Sequence, residues 1–145
     1  MRLELTRRGD YAVRAMLALA QVPPTDGLLS ARRIAARMGI PAAFLPQVMR
    51  DLMAVGLVAA TTGRSGGYRL ARPASEISVL EVIESVEGDG RRIACVLRGS
   101  PCGSDGFCDA HAVFFAAQEA MLDRLRVATL AELGHHGGST TLNTD

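Results

Sequence analysis

Apolar residues recur along this chain with two different periods, and the breaks between them fall at glycine and proline. Across residues 6–22, Val13, Met16, Leu17 and Ala20 keep helical spacing, and Pro23-Pro24 with Asp26-Gly27 closes the segment in a turn. Ser30 is placed to cap a second, short helix with Ile34, Ala35 and Met38 on its inner face, and Gly39 stops it. Pro41 suits the opening of a third helix, where its missing N–H has no partner to lose. Phe44, Val48, Leu52 and Val55 form that helix's apolar stripe before Gly56. The period then changes. Residues 57–62 are β-prone, Gly63-Arg64-Ser65-Gly66-Gly67 is a turn, and Tyr68-Arg69-Leu70 returns as a second strand. Two helices about a tight turn, followed by an arginine-bearing hairpin, predict a winged helix-turn-helix whose later helix enters the major groove.

Beyond Pro73, Ser78 and Glu81 fit a capping box that opens a fourth helix through Val79, Leu80, Val82, Ile83 and Val86. Residues 88–107 are rich in glycine, serine and aspartate. Residues 110–127 then resume a long helical pattern through Phe114, Ala117, Met121, Leu122 and Leu125. That stripe cannot be buried by its own helix, and the same helix of a second copy is its expected cover. Residues 129–133 can add one turn, and residues 134–145 have no periodicity and are expected to form a disordered tail. The expected fold is mainly α with a small β-hairpin wing. It divides into a winged helix-turn-helix over 1–73, a cysteine loop with dimerisation helices over 74–133, and the tail.

Charge sharpens this division. The 145 residues sum to a formal +1, yet residues 1–72 hold eleven arginines and four acids while residues 73–145 hold five arginines and eleven acids. A polyanion is attracted to the first half and repelled by the second, so nucleic-acid binding is expected at the N-terminal half. No apolar run approaches the roughly 18 residues of a membrane span, because Arg14 interrupts the first helix. The N-terminal residues lack the uncharged core of a secretory signal, so the expected location is the cytoplasm.

In that reducing compartment, an odd set of cysteines crowded into one loop reads as a ligand or reactive cluster rather than a disulfide scaffold. Cys95, Cys102, Cys108 and His111 follow the spacing C-x6-C-x5-C-x2-H. Zinc sites usually include a tighter knuckle, whereas wide spacing in a glycine-rich loop suits an iron-sulfur cluster. Zinc and metal-free redox thiols remain alternatives on spacing alone. An enzymatic role finds no C-x-x-C pair, no phosphate-cradling glycine loop and no nucleophile beside a base.

Several of these stretches together resemble the winged-helix iron-sulfur transcriptional regulators of the IscR, NsrR and RirA type, over about residues 1–133. They are Leu5-Thr6-Arg7-Arg8-Gly9-Asp10-Tyr11-Ala12-Val13-Arg14-Ala15-Met16, Phe44-Leu45 through Gly56-Leu57-Val58, the wing Gly63-Arg64-Ser65-Gly66-Gly67-Tyr68-Arg69-Leu70, and the cysteine loop. The resemblance implies a homodimeric regulator, expected to be a repressor, whose affinity for promoter DNA follows a cluster sensing nitric oxide, redox state or iron and cluster supply. It implies Cys95, Cys102 and Cys108 as ligands of a four-iron four-sulfur or two-iron two-sulfur cluster. The fourth ligand is then Asp10 reaching across the dimer, or His111. The gap of six residues between the first two cysteines departs from the five of several cluster-binding members.

On the DNA side the resemblance points to Gln47, with Ala43 on the same exposed edge, and to the wing at Thr62, Arg64 and Ser65; by position and charge Ser30 suits a phosphate or simply a helix cap, Arg33 adds charge nearby, and Arg50 suits a DNA contact or a solvated helix face. A glutamine can bond adenine through N6 and N7, which suits Gln47 to base reading. Phe44, beside Ala43, is expected in the core. Pro46 stands where a relative carries glutamate, and it is tolerated only in a first helical turn. Thr62 replaces an arginine of the relatives, with Arg64 as its substitute in a narrow minor groove.

Overall fold

The computed structural model describes residues 3–23, 27–89, 94–97, 99–102 and 106–136. Among these residues six α-helices and one hairpin follow in the order α1 (Arg7–Ala20), α2 (Ala31–Met38), α3 (Leu45–Ala54), β1 (Val58–Thr61), β2 (Gly67–Leu70), α4 (Val79–Glu87), α5 (His111–Val127) and α6 (Leu130–His136). A 3-10 turn over Ala74–Glu76 precedes α4.

Local chemistry sets most of the helix ends. Thr6 caps α1 by accepting from the Gly9 N–H at 3.1 Å, and Ser30 caps α2 by accepting from the Arg33 N–H at 3.3 Å. Gly39 ends α2 in the left-handed conformation, at φ 64°. Ser78 accepts from the Glu81 N–H at 3.1 Å at the start of α4. The Glu81 carboxylate, expected to complete a capping box, instead pairs with Arg72.

α3 begins later than the sequence suggests. Residues 42–44 form a turn after Pro41, and Pro46 falls within the first turn of the helix, where a missing N–H costs nothing and no kink follows. This shifts the buried face to Leu45, Val48, Met49 and Leu52. Phe44 and Val55, expected inside, are 45% and 50% exposed.

α1 is the hub, packing against α2, α3, α4, α6 and β2. Its buried face is Ala12, Ala15, Met16, Ala18 and Leu19, with Val13, Leu17 and Ala20 on the flanks. Three alanines let neighbouring helices approach from several sides, so a helix surrounded on most of its circumference has no single stripe. The same core continues past Pro73 through Ile77, Val82, Val86 and Leu130. The chain returns to it after α5: the Ala128 carbonyl accepts from the Val79 N–H at 2.9 Å, and the Leu130 N–H donates to the Ile77 carbonyl at 3.0 Å. α6 remains helical through His136, so three of the residues expected in the tail are ordered in this helix; residues 137–145 lie outside the described residues.

The hairpin pairs Val58 with Leu70 and Thr61 with Gly67 in antiparallel register. Leu29 adds a bridge to Tyr68, with both N–H to O distances at 2.9 Å, and so ties the wing to the start of α2. Gly67 permits this contact, because a Cβ there would lie 2.8 Å from the Leu29 carbonyl oxygen. α5 is different from the other helices: among its side chains only Leu122 is buried, while Val113, Phe115 and Val127 are exposed.

Candidate cysteine centre and nucleic-acid interface

The cysteine loop leaves α4 at Gly88, whose φ of 82° redirects the chain, and rejoins helix at His111. Short backbone bonds fold it back on itself. The Cys95 N–H donates to the Ser100 carbonyl at 2.8 Å, the Gly99 N–H to the Cys95 carbonyl at 2.9 Å, and the His111 N–H to the Cys108 carbonyl at 2.9 Å. These turns bring the three sulfurs, 13 residues apart at the extremes, within 4.8 Å of one another. Cys95 Sγ lies 3.5 Å from Cys108 Sγ, and Cys102 Sγ lies 3.9 Å from it. None is in a disulfide; Cys95 is buried and the other two are half-buried. The Cys95 sulfur, then desolvation and the nearby Cys102, hold the Cys108 thiol above its ordinary value. A bound metal ion reverses that preference, because a coordinating thiol is deprotonated outright. The donor set therefore fits a thiophilic metal or an iron-sulfur cluster: three soft sulfurs converge beside a cavity of about 70 Å³ lined also by His111, Phe114 and Gln118.

Neither candidate fourth ligand belongs to this gathered set. The His111 ring is stacked between Phe107, at 4.1 Å between centroids, and Phe115, at 5.8 Å. Asp10 lies on α1, where its Oδ1 accepts from Arg14 Nε at 2.9 Å.

The helix-turn-helix and wing carry the other candidates. Ala43, Gln47 and Arg50 are exposed on or just before α3, and Thr62, Arg64 and Ser65 are exposed at the wing tip. Ser30 is half-buried and its hydroxyl is used as the α2 cap, with Arg33 exposed one turn later. Phe44 packs its ring against Tyr11 of α1 at 5.7 Å, which corrects its expected place in the core to a partly exposed edge.

Two features of the site were not read from the sequence. Asp51 of α3 accepts from Gln47 Nε2 at 2.9 Å and pairs with Arg8 of α1. The i,i+4 spacing of Gln47 and Asp51 was a visible signal; the Arg8 contact, across 43 positions, was not. Likewise Glu87, at the end of α4, accepts from both the N–H and the hydroxyl of Thr6, 81 positions away. A Cβ on Gly9 would lie 2.0 Å from that carboxylate, so the glycine makes room for it.

The family model described as Rrf2, iron-dependent transcriptional regulator, matches residues 5–136. This chain belongs to the Rrf2 family. It is similar to the HTH-type transcriptional regulator IscR of Klebsiella pneumoniae, at 37% identity over 131 residues covering 90% of this chain and 79% of that protein. Protein rrf2 of Nitratidesulfovibrio vulgaris is 30% identical over 131 residues, covering 90% and 87%. Among solved structures, T. potens IscR superposes with a TM-score of 0.76 at 27% identity, covering 99% of this chain and 94% of that one. CymR, described as the global cysteine regulator of B. subtilis, shares the fold at a TM-score of 0.79 and 24% identity, over 93% and 98%. The Rrf2 chain is thus a winged-helix, DNA-binding transcriptional regulator with a three-cysteine group, and its relatives are regulators rather than enzymes. No helix among the described residues is long and apolar enough to cross a membrane.

Proposed function

We propose that this Rrf2 protein is a cytoplasmic homodimeric repressor whose hold on promoter DNA is set by an iron-sulfur cluster on Cys95, Cys102 and Cys108. The observation that carries this reading is the convergence of three free cysteine sulfurs within 4.8 Å of one another. A cluster supplies an iron–sulfide centre that nitric oxide, oxidants or iron scarcity can modify or remove. The fourth ligand is Asp10 across the dimer, whose Oδ1 is held by Arg14, or His111, whose ring faces are stacked between phenylalanines. A carboxylate or imidazole is more readily exchanged than a thiolate, and that makes the fourth position the sensing point.

The DNA-reading set is Ser30, Arg33, Ala43, Gln47 and Arg50, with Thr62, Arg64 and Ser65 at the wing. The exposed apolar stripe of α5 through Val113, Ala117, Ala120 and Val127 is the dimer seam and places two such sets on a two-fold symmetric site.

The test is iron and acid-labile sulfide analysis of anaerobically purified protein, paired with promoter binding before and after cluster destruction. Stoichiometric iron and sulfide with a change in affinity support the proposal; reconstituted protein free of sulfide overturns it. A second reading, a single zinc ion, is favoured by the sulfur spacings. Four ligands at about 2.3 Å around a tetrahedral ion stand roughly 3.8 Å apart, close to the 3.5 and 3.9 Å here. Zinc without sulfide in the same analysis selects it.

A further inference from the structure

Gln47 is the residue of α3 best suited to read a base, and its side chain is held from two sides. Its Nε2 donates to Asp51 Oδ1 at 2.9 Å, and its Oε1 accepts from Arg50 Nη1 at 3.1 Å. A carboxylate only accepts and a guanidinium only donates, so the amide has one chemically consistent orientation: reversing it sets oxygen against oxygen and nitrogen against nitrogen. A glutamine amide has two N–H donors and two lone pairs. The internal bonds take one of each. What remains is one donor and one acceptor, the pair that adenine N7 and N6–H engage in the major groove.

Asp51 is itself held. Its Oδ2 pairs with Arg8 from the first turn of α1, and its side chain is only about one-fifth exposed. The arginine fixes the carboxylate from outside α3 and offsets its negative charge on a face meant for phosphates.

We propose that Asp51, anchored by Arg8, is a positioning residue that presets the Gln47 amide for adenine and so sets base preference at one position of each half-site. This rests on Gln47 reading DNA as proposed above. Preorganisation stabilises the complex by removing the cost of ordering a flexible amide on binding. It also selects against bases whose edges do not match the remaining donor and acceptor.

The experiment selects duplexes from a randomised library with the full-length protein. It then measures affinity for the selected duplex, for versions with each other base at the adenine position, and for unrelated duplex. Wild type, Gln47→Ala, Asp51→Asn and Asp51→Ala are compared at one cluster state. Alanine favours helix, so the variants should fold without the Arg8–Asp51 pair; a cooperative unfolding transition in each checks this.

Wild type is expected to prefer adenine by about tenfold or more, and Gln47→Ala to lose that preference. Asp51→Ala should reduce it to within about threefold while affinity for unrelated duplex holds or rises, since a negative charge has been removed. Asp51→Asn keeps one acceptor oxygen for Gln47 but sets an amide NH2 against Arg8, so its preference should fall between wild type and Asp51→Ala. The proposal is overturned if Asp51→Ala keeps full adenine preference while Gln47→Ala loses it. If Gln47→Ala leaves the selected motif unchanged, Gln47 is not the reader and the proposal falls with that assignment. Failure of wild type to select any sequence instead removes the DNA-reading function itself.

Discussion

Gly9, Thr6 and Glu87 show how single atoms join distant parts of this chain. Glu87 reaches the N-terminus of α1, where free N–H groups and the helix dipole favour a carboxylate, and only the missing Cβ of Gly9 allows it to sit there. Glu87→Ala should therefore cost about 1–2 kcal/mol in wild type but close to zero in a Gly9→Ala background, because the alanine already displaces the carboxylate. Urea unfolding of the four proteins of that cycle measures the difference. The Phe44 and Leu45 pair separates core from edge in the same way. Leu45 is 1% exposed and its replacement by alanine should cost roughly 2–5 kcal/mol. Phe44, resting on Tyr11 and half open to water, should cost under about 1.5 kcal/mol as Phe44→Ala.

Among the elements, the wing depends on glycine backbones as well as on the packing of Val58, Tyr68 and Leu70 at the core. A side chain at Gly67 meets the backbone of Leu29, which cannot move without pulling α2. Gly67→Ala is expected to disturb the hairpin and weaken DNA binding while the helical circular dichroism stays unchanged. Arg64 at the wing tip gives a quantitative check of the proposed interface. If each Arg64 touches a phosphate, Arg64→Ala should lower the slope of log affinity against log salt by about 0.9 per subunit bound. An unchanged slope would place Arg64 away from the phosphates. α3 illustrates a sequence signal read one turn too early: Pro41 and Pro46 both suit a first turn, and the helix takes Pro46 because Leu45 then faces the core.

At the scale of the whole molecule, one core spans the basic half and the first and last helices of the acidic half, leaving α5 to project an uncovered apolar side. A Val113→Asp and Ala120→Asp double substitution on one face of α5 should convert the proposed dimer to a monomer of 15.4 kDa in sedimentation velocity. Promoter affinity should then fall by about 100-fold, since two reading heads no longer bind as one unit. The Glu87 contact adds a route between the halves. The stem of the cysteine loop is tied to the N-terminus of α1, the same first turn that carries Arg8 toward Asp51 and Asp10 toward Arg14.

The amino-acid sequence by itself determined what depends on neighbours within a turn or two. Thr6, Ser30 and Ser78 cap helices, Gly39 stops one, and alternating β-prone residues about a glycine-rich turn make the wing, because each signal is a contact of three or four positions. The crowding of three cysteines into one loop was equally legible, since it needs only their closeness in the chain. Only the tertiary structure decided that Phe44 turns outward, that α6 returns to cover α1, that His111 is stacked between two phenylalanines, and that Asp51 meets Arg8. Packing and pairing across tens of residues follow from how all the elements share one core, and no local period encodes that.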